Sequence, residues 1–85
     1  MDPDGNPYKV YVNVCAEFNA DGSLVPLSFV WEDGTRYTID RVTDVRLAAS
    51  LKAGGIGMRY TCRVRGRLTY LFLDDNRWFM ERKGV

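Results

Sequence analysis

The sequence predicts an all-β domain: a small antiparallel meander of six strands in a half-open, SH3-like barrel, with at most one short helical turn near residues 46–52. Three observations predict it. Tyr8, Val10, Val12, Val14, Ala16 and Phe18 alternate with more polar positions, the period of a strand with one buried face. Leu27, Phe29 and Trp31 repeat that alternation up to Glu32-Asp33-Gly34, and Tyr37 and Ile39 resume it, so residues 24–40 read as a central hairpin. Turn-forming clusters then recur at short intervals through the rest of the chain, which suits hairpins joined in series.

The elements follow in chain order. Residues 1–7 (MDPDGNP) hold two prolines, a glycine and two aspartates and read as a flexible tail, leaving residues 8–83 as one domain. Asn19-Ala20-Asp21-Gly22 is a turn into the central hairpin. Pro26 has no N–H for a ladder and belongs at a strand start, an edge or a bulge. Past Ile39 the alternation loses phase: Val42 and Val45 are three apart, implying a bulge or bend, and residues 47–52 (LAASLK) suit one helical turn closed by Gly54. Met58, Tyr60, Cys62 and Val64 share one face of the next strand, and Arg59, Thr61 and Arg63 the other. Arg65-Gly66 turns into residues 67–73, and Asp74-Asp75-Asn76 into a last strand over 77–82. Regular alternation sets Leu71, Leu73 and Phe79 opposite Leu68, Tyr70, Phe72, Trp78 and Met80, leaving one surplus apolar face suited to a homodimer contact.

Eighty-five residues give one core, and eleven aromatics are too many for a disordered chain. Neither a run of about twenty apolar residues nor a secretory leader pattern is present, which implies a cytoplasmic protein that does not engage a membrane. Cys15 and Cys62 lack zinc-site spacing and read as two reduced, half-buried thiols. Histidine is absent. With it go the usual general base and the commonest metal ligand, and neither a nucleophile elbow nor a paired-carboxylate pattern replaces it, so the expectation is a non-enzymatic protein with no cofactor and no metal.

The net charge of +1 conceals a separation. Up to Val45 three cations face eight acids, whereas from Arg46 onward nine cations face three. Such asymmetry points to an anionic partner or to two halves that pair in space. Arg59, Arg63, Arg65 and Arg67 fall on one hairpin, where a sheet face of guanidinium groups beside tyrosines suits a phosphate backbone. Gly54, Gly55 and Gly57, following Lys52, form a loop whose backbone N–H groups are able to converge on an anion, with Lys52 and Arg59 adding charge. Both sets also have structural readings: a solvated outer face for the arginines and a chain reversal for the glycines. A third possibility is a small-ligand cavity lined by Tyr37, Tyr60 and Trp78.

The segments Trp31-Glu32-Asp33-Gly34, Ala48-Ala49-Ser50-Leu51-Lys52-Ala53-Gly54-Gly55 and Arg59-Tyr60-Thr61-Cys62-Arg63 resemble those of a group of short uncharacterised bacterial proteins, over residues 8–82. Phe29, Trp31, Tyr37, Val42 and Arg77-Trp78-Phe79 also look like a small domain found beside translesion-type DNA polymerase genes. The resemblance implies a compact all-β unit and a nucleic-acid context.

Overall fold

A computed structural model describes residues 7–51 and 53–82. Its eight strands are β1 (Lys9–Tyr11), β2 (Asn13–Phe18), β3 (Leu24–Val30), β4 (Arg36–Thr38), β5 (Arg41–Ala49), β6 (Ile56–Val64), β7 (Arg67–Asp74) and β8 (Arg77–Glu81). They form two antiparallel sheets, a larger one ordered β1-β8-β7-β6-β5 and a smaller one ordered β2-β3-β4. The all-β class agrees with the sequence reading, but there are eight strands rather than six, and the sheets do not close into a barrel. The expected tail lies almost wholly outside the described residues.

Two changes account for the strand count. The first alternating run is broken at Val12, where the chain leaves the larger sheet for the smaller one; the Val12 amide still donates to the Trp78 carbonyl at 3.1 Å. The second is β5. The stretch expected to turn helically is extended and pairs with β6 as far as Ala49 opposite Ile56. Ladder formation with an adjacent strand overrides the helix preference of an Ala-Ala-Ser-Leu run, a weak local bias. Beyond Ala49 the Gly54 amide donates to the Ser50 carbonyl and the Ser50 amide to the Gly55 carbonyl, both at 3.0 Å. The predicted phase break before Val45 is a bulge between Val42 and Asp44.

A second bulge explains Pro26. The β2–β3 register moves from Cys15 opposite Ser28 to Ala16 opposite Pro26, so Leu27 is the extra residue. Phase inverts there: Pro26 and Phe29 are buried, while Leu27 is 43% exposed rather than sharing the Phe29 face.

The core between the sheets gathers Val10, Val12, Phe29, Ile39, Tyr60, Cys62, Val64, Leu71 and Met80, with Trp31, Tyr37, Leu73 and Trp78 packed against it. Phe72 and Phe79 stack at 5.0 Å on the other face of the larger sheet, covered by Ala53 and flanked by Tyr11. This corrects the face assignment around the last hairpin. Asp75 and Asn76, both at positive φ, form a two-residue turn that sets Leu73 opposite Trp78 and Phe72 opposite Phe79. Leu73 and Trp78 therefore share the inner face, and Phe79 sits outside with Phe72.

Candidate anion-binding surfaces

Register decides which arginines are neighbours. On the outer face of the larger sheet Arg41 lies opposite Arg63, and Arg46 opposite Arg59. Asp44 stands between these rows opposite Thr61, and Tyr70 continues that row onto β7. The Arg46 guanidinium donates to Asp44 through Nε at 2.7 Å and Nη2 at 3.1 Å, and these bonds hold the Asp44 carboxyl below its usual value, with Arg59 adding to the effect by charge. Two guanidinium groups, those of Arg46 and Arg59, thus act on this one carboxylate. The Arg59 guanidinium lies 4.4 Å from the ring centre of Tyr70, itself 43% exposed. Among the described residues, Arg59 Nε is the buried side-chain nitrogen that has no hydrogen-bond partner.

The other two hairpin arginines lie elsewhere. Arg65 occupies the β6–β7 turn at φ 50°, followed by Gly66 at 75°. Arg67 pairs with Val64 and so takes the parity of the inner face. Both line a groove of about 590 Å³ that opens between the sheets and is walled by Phe29, Trp31, Tyr37, Leu68, Thr69 and Met80. Phe29 and Tyr37 stack at 5.3 Å, and the Arg65 guanidinium lies 4.6 Å from the Tyr37 ring centre. Glu32, Glu81 and Arg82 complete the lining. Glu32 accepts two hydrogen bonds from Arg82, at 3.0 and 2.7 Å, which hold its carboxyl below the usual range. Arg82 also donates to the Pro7 carbonyl, and Glu81 accepts from Ser50 Oγ at 2.7 Å.

Of the predicted site residues, then, Arg59 and Arg63 are joined on the outer face by Arg41 and Arg46, which the hairpin reading missed because a distant pairing brings them there. Arg65 and Arg67 turn the corner into the groove. The glycine loop is remote from Arg65 and Arg67, at the opposite end of β6, a nine-residue strand spanning roughly 25 Å or more. Gly54 spends its N–H on the Ser50 carbonyl, and a Cβ on Gly57 would fall 2.7 Å from the Leu73 carbonyl oxygen, so Gly57 serves close packing against β7. Lys52 lies outside the described residues. Around this loop Ser50 is buried and Ala53 packs against the Phe72–Phe79 pair.

Three further expectations are corrected. Leu71 and Phe79 are buried and Leu73 packs against the core, so the proposed surplus face is not available at those residues. Tyr60 and Trp78 pack on each other at 5.3 Å in the core, and neither lines the groove that Tyr37 lines. The two thiols are not alike: Cys15 is exposed, whereas Cys62 is fully buried and burial pushes its pKa up to about 11. Among the described residues there is no group of three or more His, Cys, Asp or Glu side chains able to hold a metal ion, and no helix is long and apolar enough to cross a membrane. Comparison with family models, curated proteins and solved structures finds no match to this chain.

Proposed function

We infer that the chain is a non-enzymatic binding module whose outer sheet face docks a polyanion, and that single-stranded nucleic acid is the polyanion it suits. The observation that carries this reading is the cross-strand register that sets Arg41 opposite Arg63 and Arg46 opposite Arg59. Like charges placed directly opposite one another destabilise a sheet, by roughly 0.2–1 kcal/mol per pair. A phosphate chain laid along β5 and β6 relieves that repulsion. Tyr70, exposed beside Arg59, supplies an aromatic platform for a base, and stacking of this kind tolerates any sequence. The sequence resemblance to a domain encoded beside polymerase genes agrees with this reading. Binding rather than turnover also suits Cys62, whose raised pKa keeps it a thiol, a poor nucleophile.

The test is a salt titration of the full chain against a labelled 12-nucleotide single strand. Affinity should fall steeply with salt, and the double substitution Arg41→Gln with Arg63→Gln should lower the log–log slope by about 1.4, roughly 0.7 per phosphate contact removed. No binding at low salt would sink the reading.

One observation favours a second reading, self-association. Val45, Leu47, Leu51, Ile56 and Met58 are 36–95% exposed; the four on β5 and β6 continue the core-facing side of the larger sheet beyond the smaller sheet's cover. β5 is also an open edge of nine residues. Antiparallel pairing with the same strand of a second copy about Val45 places Asp44 opposite Arg46 twice, which fixes a charge-complementary register. Sedimentation should then show a monomer–dimer equilibrium that Leu47→Lys shifts to monomer. A single monomeric species at every concentration would rule this out.

A further inference from the structure

We propose that the groove between the sheets is a site for one unstacked nucleobase and its phosphate, which makes the domain selective for single strands over duplex. This rests on the nucleic-acid reading above and gives it a specificity element on a different surface. Phe29, Tyr37 and Arg65 form a three-tier column: Phe29 on Tyr37 at 5.3 Å with 19° between the ring planes, then the Arg65 guanidinium 4.6 Å from the Tyr37 centroid. The outermost tier is a flat, delocalised cation, and a nucleobase is the planar partner that extends such a column by stacking. Trp31 forms an aromatic wall of the same groove, and Thr69 offers a hydroxyl. Its volume of about 590 Å³ is the size of a small-molecule site.

The charges fit the phosphate as well. Arg82 is engaged by Glu32, and Glu81 by Ser50, whereas Arg67 is exposed on the groove wall and no described acid pairs with it. Arg67 is the group that takes the phosphate of the inserted nucleotide. Leu68 lines the groove and is also the cross-strand neighbour of Arg63 on the outer face, so a strand passing from one surface to the other crosses this residue and the Arg65-Gly66 tip. A duplex keeps its bases stacked and paired and has none to insert. At Arg65 the backbone is left-handed, φ 50°, a conformation that disfavours arginine and suits asparagine or glycine, and its side chain lies over Tyr37.

Two measurements on the full chain test the site. In the first, labelled 12-nucleotide single strands of DNA and RNA and a DNA duplex of equal length are titrated at low salt against wild type and against Arg65→Asn with Arg67→Gln. The expected result is about tenfold weaker single-strand binding with duplex binding unchanged. In the second, a single strand carrying 5-bromouracil is photocrosslinked to wild type, and adducts should map to Trp31. Adducts confined to Tyr70, or equal losses on single strand and duplex, would overturn the groove while leaving the outer-face reading intact. Absence of any nucleic-acid binding at low salt would remove both.

Discussion

Arg65 separates stability from binding within one side chain. Its left-handed backbone disfavours most L side chains by about 1 kcal/mol, a penalty that asparagine offsets because its short polar side chain hydrogen-bonds to the local backbone. Its contact with Tyr37 is an exposed cation–π pair that contributes roughly 0.5–1 kcal/mol in the other direction. These two effects nearly cancel, so Arg65→Asn should leave the denaturation midpoint within about 0.5 kcal/mol of wild type by urea titration. A loss of 2 kcal/mol or more would mean that the arginine is a structural strut rather than a contact for ligand. Parity along β6 already groups Arg59 with Arg63 in the sequence. That Arg65 stacks on Tyr37 was not legible, because Tyr37 lies 28 positions earlier in the chain and in the other sheet.

Among the elements, β6 organises the larger sheet through its pairings with β5 and β7. Its alternation of Tyr60, Cys62 and Val64 with Arg59 and Arg63 is plain in the sequence and is found in the structure, although Thr61 is also buried. β5 was not legible for a physical reason. Its bulge between Val42 and Asp44 removes the period of two, and Leu47-Ala48-Ala49 carries no β-branched residue to signal an extended chain. Only its ladder with β6 makes it a strand, and that pairing is also what brings Arg41 and Arg46 into the candidate site. Where β6 meets β7, Gly57 is the sensitive position. A β-carbon there meets the Leu73 carbonyl oxygen at 2.7 Å and its carbon at 3.2 Å, backbone atoms that have no rotamer to yield. Gly57→Ala should therefore destabilise the domain by about 1–3 kcal/mol. An unchanged melting temperature would show that the β6–β7 pairing is looser than this geometry requires.

In the molecule as a whole, charge links the two sheets where Glu32, in the β3–β4 turn of the smaller sheet, accepts from Arg82 just beyond β8, while the Asp44–Arg46 pair lies within β5. Both carboxyls titrate below their ordinary values of 4.5 and 3.8, Glu32 chiefly through the Arg82 hydrogen bonds and Asp44 chiefly through those of Arg46. A carboxyl with a lowered folded-state pKa adds stability that is present above its unfolded value and lost as the pH falls through the folded one. The melting temperature should thus hold steady from neutral pH down to about 5 and decline below about 4.5, and Glu32→Gln should flatten part of that decline. A profile identical in wild type and variant would show that the Glu32–Arg82 contact carries no folding energy. The charge separation seen along the chain is partly neutralised in this way. Glu32 meets Arg82 and Asp44 sits among arginines, but Arg41, Arg63 and Arg67 remain exposed to solvent. Composition alone did not distinguish the arginines that pair from those that face solvent, because strand order makes that division.

The β1–β8 pairing has a mechanical consequence. Lys9 lies beside Glu81, Val10 beside Met80 and Tyr11 beside Phe79, and the Arg82 amide donates to the Tyr8 carbonyl at 2.7 Å. The strands are antiparallel, so both chain directions leave the sheet on the same side. A pull applied at Tyr8 and Arg82 runs across these hydrogen bonds and loads them singly, opening the pair like a zipper. Anchored instead at Tyr8 and Asp74, the same sheet would be stretched more nearly along its strands, and several bonds would have to shear together. The domain should therefore yield at low force when tension reaches it through its flanking chain, and resist more when held at the β7–β8 turn.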